Sequence, residues 1–96
     1  MAKKVKASDM PDSPFIHDSA ILGQLIKAKR TALRLKMADC AALCGVGINT
    51  LSRIENGNGN CTMTAVFAVL HGLGIKLTCN ELASEVSSDA ANQGWV

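Results

Sequence analysis

The stretch Met37-Ala38-Asp39-Cys40-Ala41-Ala42-Leu43-Cys44-Gly45-Val46-Gly47-Ile48-Asn49-Thr50-Leu51-Ser52-Arg53-Ile54-Glu55-Asn56-Gly57 decides the fold. Its first part predicts a short helix over Met37 to Cys44, with Cys40, Ala41 and Cys44 on one side. Gly45 stops that helix, because a glycine adopts the left-handed cap conformation without strain. Gly45, Val46 and Gly47 form a tight turn. A further helix fits Ile48 to Asn56: Leu51 and Ile54 repeat at a spacing of three, while Asn49, Thr50, Ser52 and Arg53 face elsewhere.

Upstream, Ile21, Leu22, Leu25, Ile26 and Leu33 recur at spacings of three and four, with Lys27, Lys29 and Arg30 on the other face. That pattern predicts an amphipathic helix from Asp18 or Ser19, as N-cap, to near Arg34. Downstream, Gly57, Asn58, Gly59 and Asn60 form a loop. Thr62 caps a fourth helix through Met63, Val66, Phe67, Val69 and Leu70, which stops at Gly72 or Gly74. Ile75 to Leu77 alternate as a short strand would, and a weak helical turn fits Glu81 to Val86. The expectation is an all-α bundle of four to five short helices, with an optional strand at Ile75 to Leu77 that pairs across a dimer axis. Residues 1–18, with Pro11 and Pro14, read as a flexible arm. Residues 19–77 form the folded domain, and residues 78–96, rich in Ser, Ala, Asn and acids, read as a mobile tail.

The chain has 96 residues, which leaves room for one small domain and little for an enzyme cleft. Aromatics are only 3% against 48% hydrophobic residues, so small aliphatics must build the core, and these suit helices. The net charge is only +2, but it is unevenly spread. Between residues 19 and 60, Lys27, Lys29, Arg30, Arg34, Lys36 and Arg53 face only Asp39 and Glu55, whereas Glu81, Glu85 and Asp89 make the end acidic. No long apolar run suggests a membrane span or a signal peptide, which makes a cytoplasmic protein of bacterial or phage type the expectation. Cys40, Cys44, Cys61 and Cys79 then read as reduced thiols.

Two short helices joined by a glycine turn, the second polar on its outer face, describe a helix-turn-helix. In such a motif the second helix enters the DNA major groove, so its exposed side chains must donate and accept hydrogen bonds at base edges. Asn49, Thr50, Ser52 and Arg53 meet that need, with Arg53 the strongest candidate for a base contact; the bland alternative is an ordinary solvated face. Gly47 lets a phosphate approach the backbone, and the helix N-terminus attracts an anion.

The residues themselves resemble the lambda-repressor/Cro (XRE) type of helix-turn-helix domain. The resemblance rests on Leu22 to Arg30, Ala41, Gly45-Val46-Gly47 and Leu51-Ser52-Arg53-Ile54-Glu55-Asn56-Gly57. The run Val66 to Leu77 is similar to the end of the HipB-like branch, antitoxin repressors that pair with serine/threonine-kinase toxins. The resemblance implies a structural ion pair between Arg30 and Glu55. It places DNA-facing positions on Lys36, Met37, Gly47, Ile48, Asn49, Thr50, Ser52 and Arg53, with Asn56 near a phosphate. Three positions depart from the family: Met37 stands where a Gln usually buttresses the recognition helix, Lys36 replaces a capping residue, and Ile48 is apolar where many members are polar. Ile48 then contacts a thymine methyl or shields the turn. The sequence preference of relatives does not transfer.

The function expected is a sequence-specific DNA-binding regulator, a repressor and autoregulating antitoxin, acting as a homodimer on a palindromic operator. The alternative from another class is a protein-interaction module that neutralises a kinase-like toxin, with Trp95 as an anchor for that partner. A thiol- or metal-responsive regulator is a minor third reading, because Cys40 and Cys44 fall on core positions and behave as small hydrophobes. His17 and His71 lack a positioned carboxylate, so no catalytic residue, cofactor or metal is expected. Leu43, Val69, Ile75 and Leu77 are candidates for a dimer surface or for the rim of the core. Asn58 and Asn60 bind the DNA backbone or simply form their turn, and Lys27, Lys29 and Arg34 touch phosphate or only solvent.

Overall fold

The computed structural model of the chain describes residues 5–12 and 14–83. Among these residues five helices follow one another: α1 (Ser19–Ala32), α2 (Met37–Cys44), α3 (Ile48–Glu55), α4 (Met63–Leu73) and the single turn α5 (Asn80–Ala83). Asp18 caps α1 through its side chain, which accepts from the Ile21 amide at 2.8 Å. Thr62 does the same for α4, accepting from the Ala65 amide at 3.1 Å. Each such cap satisfies an amide that the helix itself leaves open.

The C-terminal ends share one device, in which a left-handed residue folds the next amide back onto the last turn. At α2, Gly45 has φ 73° and the Val46 amide donates to the Ala41 carbonyl at 3.0 Å. At α1 the left-handed residue is Arg34, φ 62°, and the Leu35 amide donates to the Arg30 carbonyl at 3.2 Å. The α1 helix therefore ends at Ala32, two residues before the point where its periodicity fades.

The core is formed by Ile26 of α1, Cys40, Ala41 and Cys44 of α2, Leu51 and Ile54 of α3, and Val69, Leu70 and Leu73 of α4. One buried stripe per helix closes a single small core, as the spacing of apolar residues demands. Two glycines let backbones meet where any side chain would intrude. A Cβ on Gly23 of α1 would strike the Ile54 carbonyl oxygen, and one on Gly72 of α4 would strike the Cys44 sulfur.

Val69 is fully buried, which places it in the core, one of the two positions its sequence allows. Ile75, Lys76 and Leu77 form no strand within the single chain, and Ile75 packs against the core. The weak turn after Thr78 is α5, one residue earlier than expected at its start. Trp95, Glu85 and Asp89 lie outside the described residues.

The described residues before α1, 5–12 and 14–18, adopt no helix or strand, yet they are tied to the body. The Ser8 amide donates to the Thr31 hydroxyl at 2.7 Å, and Arg34 Nη1 donates to the Val5 carbonyl at 2.5 Å. No helix among the described residues is long and apolar enough to cross a membrane.

Candidate nucleic-acid interface

The second helix of the motif, α3, splits its residues cleanly. Leu51, Ile54 and Glu55 are buried, while Ile48, Asn49 and Arg53 are exposed and Thr50 and Ser52 are half-buried. Both α2 and α3 begin without a side-chain cap: Lys36 and Gly47 hold extended N-cap conformations and accept no cap hydrogen bond. Their first-turn amides are therefore available to an anion, which the helix dipole also favours.

What holds α3 in place is the pair Arg30 and Glu55, each 7% exposed. Arg30 Nε donates to Glu55 Oε2 at 2.5 Å and Nη2 to Oε1 at 3.1 Å, a two-point contact that fixes orientation as well as distance. Arg30 Nη1 also donates to the Leu35 carbonyl at 2.7 Å. One guanidinium thus joins α1, the α1–α2 connection and the end of α3. Buried charge demands this degree of pairing, and no buried side-chain nitrogen or oxygen among the described residues lacks a partner. A second fastening lies at the other end of α1, where Ser19 Oγ donates to the Gly57 carbonyl at 2.8 Å.

Along the exposed rim, Asn56 Nδ2 donates to Ser52 Oγ at 3.4 Å. Asn58 forms the turn: its amide donates to the Arg53 carbonyl at 2.9 Å and its side chain accepts from the Asn60 amide at 2.8 Å. Lys36 is exposed at the start of α2, but Met37 is half-buried and packs against the core. The thioether leans inward because it has no hydrogen bond to offer at the surface. Lys27 is exposed and Lys29 half-buried on α1.

The cysteines are all free. Cys40 Sγ lies 3.9 Å from Cys44 Sγ inside the core, and Cys44 Sγ approaches the Val69 carbonyl at 3.7 Å. Burial, and then the neighbouring Cys44, push the Cys40 thiol up to about 12. Such a thiol stays protonated and unreactive at neutral pH. Among the described residues no three His, Cys, Asp or Glu side chains come together as a metal site.

The helix-turn-helix family matches residues 26–78, from the middle of α1 to beyond α4 and over more than half of the chain. The chain belongs to the XRE-type helix-turn-helix family. Among solved structures it is similar to the "Structure of HipA-HipB-O2-O3 complex", with 25% identity and a TM-score of 0.64 over 70% of this chain and 94% of that chain. A HipB variant solved with an O2 20mer gives 26% identity and a TM-score of 0.64 over 71% of this chain and 94% of that one. HipB solved with an O4 20mer gives 25% identity and the same TM-score over 70% and 94%. No curated protein matches the sequence. The all-α fold is the one these solved HipB structures share with the chain.

Ser8 and Thr31, which fasten the residues before α1, are the site-flanking residues that sequence reasoning missed. No residue pattern signals a backbone amide bonded to a hydroxyl twenty-three positions away.

Proposed function

We propose that this XRE-type chain is a transcriptional repressor that reads a specific DNA sequence through α3 and acts as the autoregulating antitoxin of a toxin–antitoxin pair. The observation that carries the reading is the exposure of Asn49 and Arg53 on a helix locked by the Arg30–Glu55 pair. Family membership adds weight, since the HipB structures similar to it are operator complexes, one of them also containing HipA. Arg53 and Asn49 contact base edges. Lys36, the open amides after Gly47, and Asn56 contact phosphates, while Ile48 covers a thymine methyl and Thr50 and Ser52 line the groove wall. Met37 supports the start of α2 from below.

Residues 19–77 act as the DNA-binding unit, residues 1–18 as an arm and residues 78–96 as the acidic tail, with Trp95 as the anchor for a kinase-like toxin. The chain acts in the cytoplasm by binding and not by catalysis. One recognition helix reads few base pairs, so a homodimer on two half-sites supplies the specificity. Footprinting on DNA from the protein's own upstream region tests this. Two protected half-sites about 10 base pairs apart centre to centre are expected, and a single patch or none contradicts it.

A second reading is favoured by the HipA-containing relative: a toxin partner in which DNA binding is subordinate. It predicts tight binding to the cognate toxin alongside an absent footprint.

A further inference from the structure

Cys40 and Cys44 stand one helical turn apart on α2, 0% and 9% exposed, and their sulfurs lie 3.9 Å from each other. Neither belongs to the recognition face. They share an apolar cluster with Ile26 of α1, Leu51 of α3, and Val69 and Leu73 of α4, while the Val69 carbonyl oxygen lies 3.7 Å from Cys44 Sγ. On the α4 side the sulfur of Cys44 is close to the surface. Gly72 there is half-buried, and a Cβ on it would strike that sulfur, so Cys44 fills the place a side chain at position 72 would take.

Two thiols in contact can serve one chemistry that needs no third ligand. A thiolate–metal bond is about 2.3 Å long, so two of them to one ion reach up to about 4.6 Å, and the observed 3.9 Å falls inside that span. Zinc demands four ligands, and among the described residues no three His, Cys, Asp or Glu side chains gather. Two sulfurs in an apolar setting suit instead a soft cation that accepts two ligands.

We propose that Cys40 and Cys44 form a two-coordinate site for copper(I) inside the helix-turn-helix core. Each sulfur releases its proton and donates a lone pair: one ion enters, two protons leave, and no electron is transferred. The protonated Cys40 thiol is inert toward electrophiles, but a soft cation displaces the proton as it binds. The occupied site carries one negative charge. Arg30 of α1 and Glu55 of α3 are the charged groups that act on Cys40, and as a bonded pair they largely cancel. The first turn of α2, which has no side-chain cap, adds the positive end of its dipole at Cys40. His71, the one titratable residue of α4, is exposed. The site does not depend on the DNA-binding reading.

The experiment titrates copper(I), held by a competing chelator without oxygen, into the full chain carrying Cys61→Ala and Cys79→Ser, which leaves Cys40 and Cys44 as its only thiols. One ion per chain is expected, with thiolate-to-copper absorption in the ultraviolet and an X-ray absorption shell of two sulfurs. Because two protons leave, apparent affinity should rise about 100-fold per pH unit between about pH 6 and 7. Adding Cys40→Ala or Cys44→Ala should abolish uptake while circular dichroism keeps its helical signal, and zinc should not displace the copper. No uptake by the two-thiol chain overturns the proposal. So does an ion retained by either single variant, a shell containing nitrogen or oxygen, or a rise of only about tenfold per pH unit, which marks a single thiolate. If a single variant unfolds, the two-sulfur shell and the two-proton slope of the chain with both thiols decide alone.

Discussion

Arg34 occupies a backbone conformation, φ 62°, in which an L side chain crowds its own carbonyl. At the ends of α2, α3 and α4 the same position is filled by Gly45, Gly57 and Gly74. Replacing Arg34 by glycine is therefore expected to raise stability by about 0.5 to 1 kcal/mol in urea unfolding, because the exposed bond to Val5 contributes little. A clear loss would show that this arm contact carries more than an exposed bond should. Cys40 provides a pH signature. Its thiol titrates near 12 when folded against 9.0 as the ordinary value, so between those values the unfolded chain has lost a proton that the folded chain keeps. Stability is then full below pH 9 and falls by about 1 kcal/mol per pH unit above it. Cys40→Ala should flatten that fall, and a native chain should offer Cys61 and Cys79 but not Cys40 to a thiol reagent at pH 8.

At the scale of elements, the central device is the clamp of α3 onto α1. Arg30→Ala leaves the Glu55 carboxylate buried and unpaired and should cost about 3 to 5 kcal/mol. Gly23→Ala should cost about 1 to 3 kcal/mol, since the methyl meets the Ile54 and Glu55 carbonyls and α3 must move. Urea midpoints measure both, and a neutral Gly23→Ala would mean that α1 and α3 separate freely. The same elements show what a sequence discloses. The bounds of α2 were legible because Gly45 ends it and the apolar stripe is short, and the caps Asp18 and Thr62 follow from residue type. The end of α1 was not, because nothing in an arginine announces a left-handed backbone. Val69 stayed open between core and dimer surface for another reason: α4 carries Val66, Phe67, Val69 and Leu70 close together, so its apolar face cannot be chosen until α2 is packed against it. The exposed side of α3 was plain, since Leu51 and Ile54 mark the inward face, to which Glu55 is added by its pairing with Arg30. Met37 was half legible, as a position but not as an orientation.

The whole molecule is a small bundle that presents one polar helix and two helix starts without side-chain caps. Because the family match covers residues 26–78, the central claim is that this face reads DNA sequence and does more than attract a polyanion. The measurement that tests it most directly is binding of wild type and Arg53→Ala to DNA from the protein's own upstream region, across a salt series with random-sequence competitor. The account predicts a wild-type preference of about 1,000-fold or more over random DNA, relaxed in Arg53→Ala while the salt dependence stays nearly the same. Equal, steeply salt-dependent binding of wild type to both DNAs, or no binding to either, would contradict it.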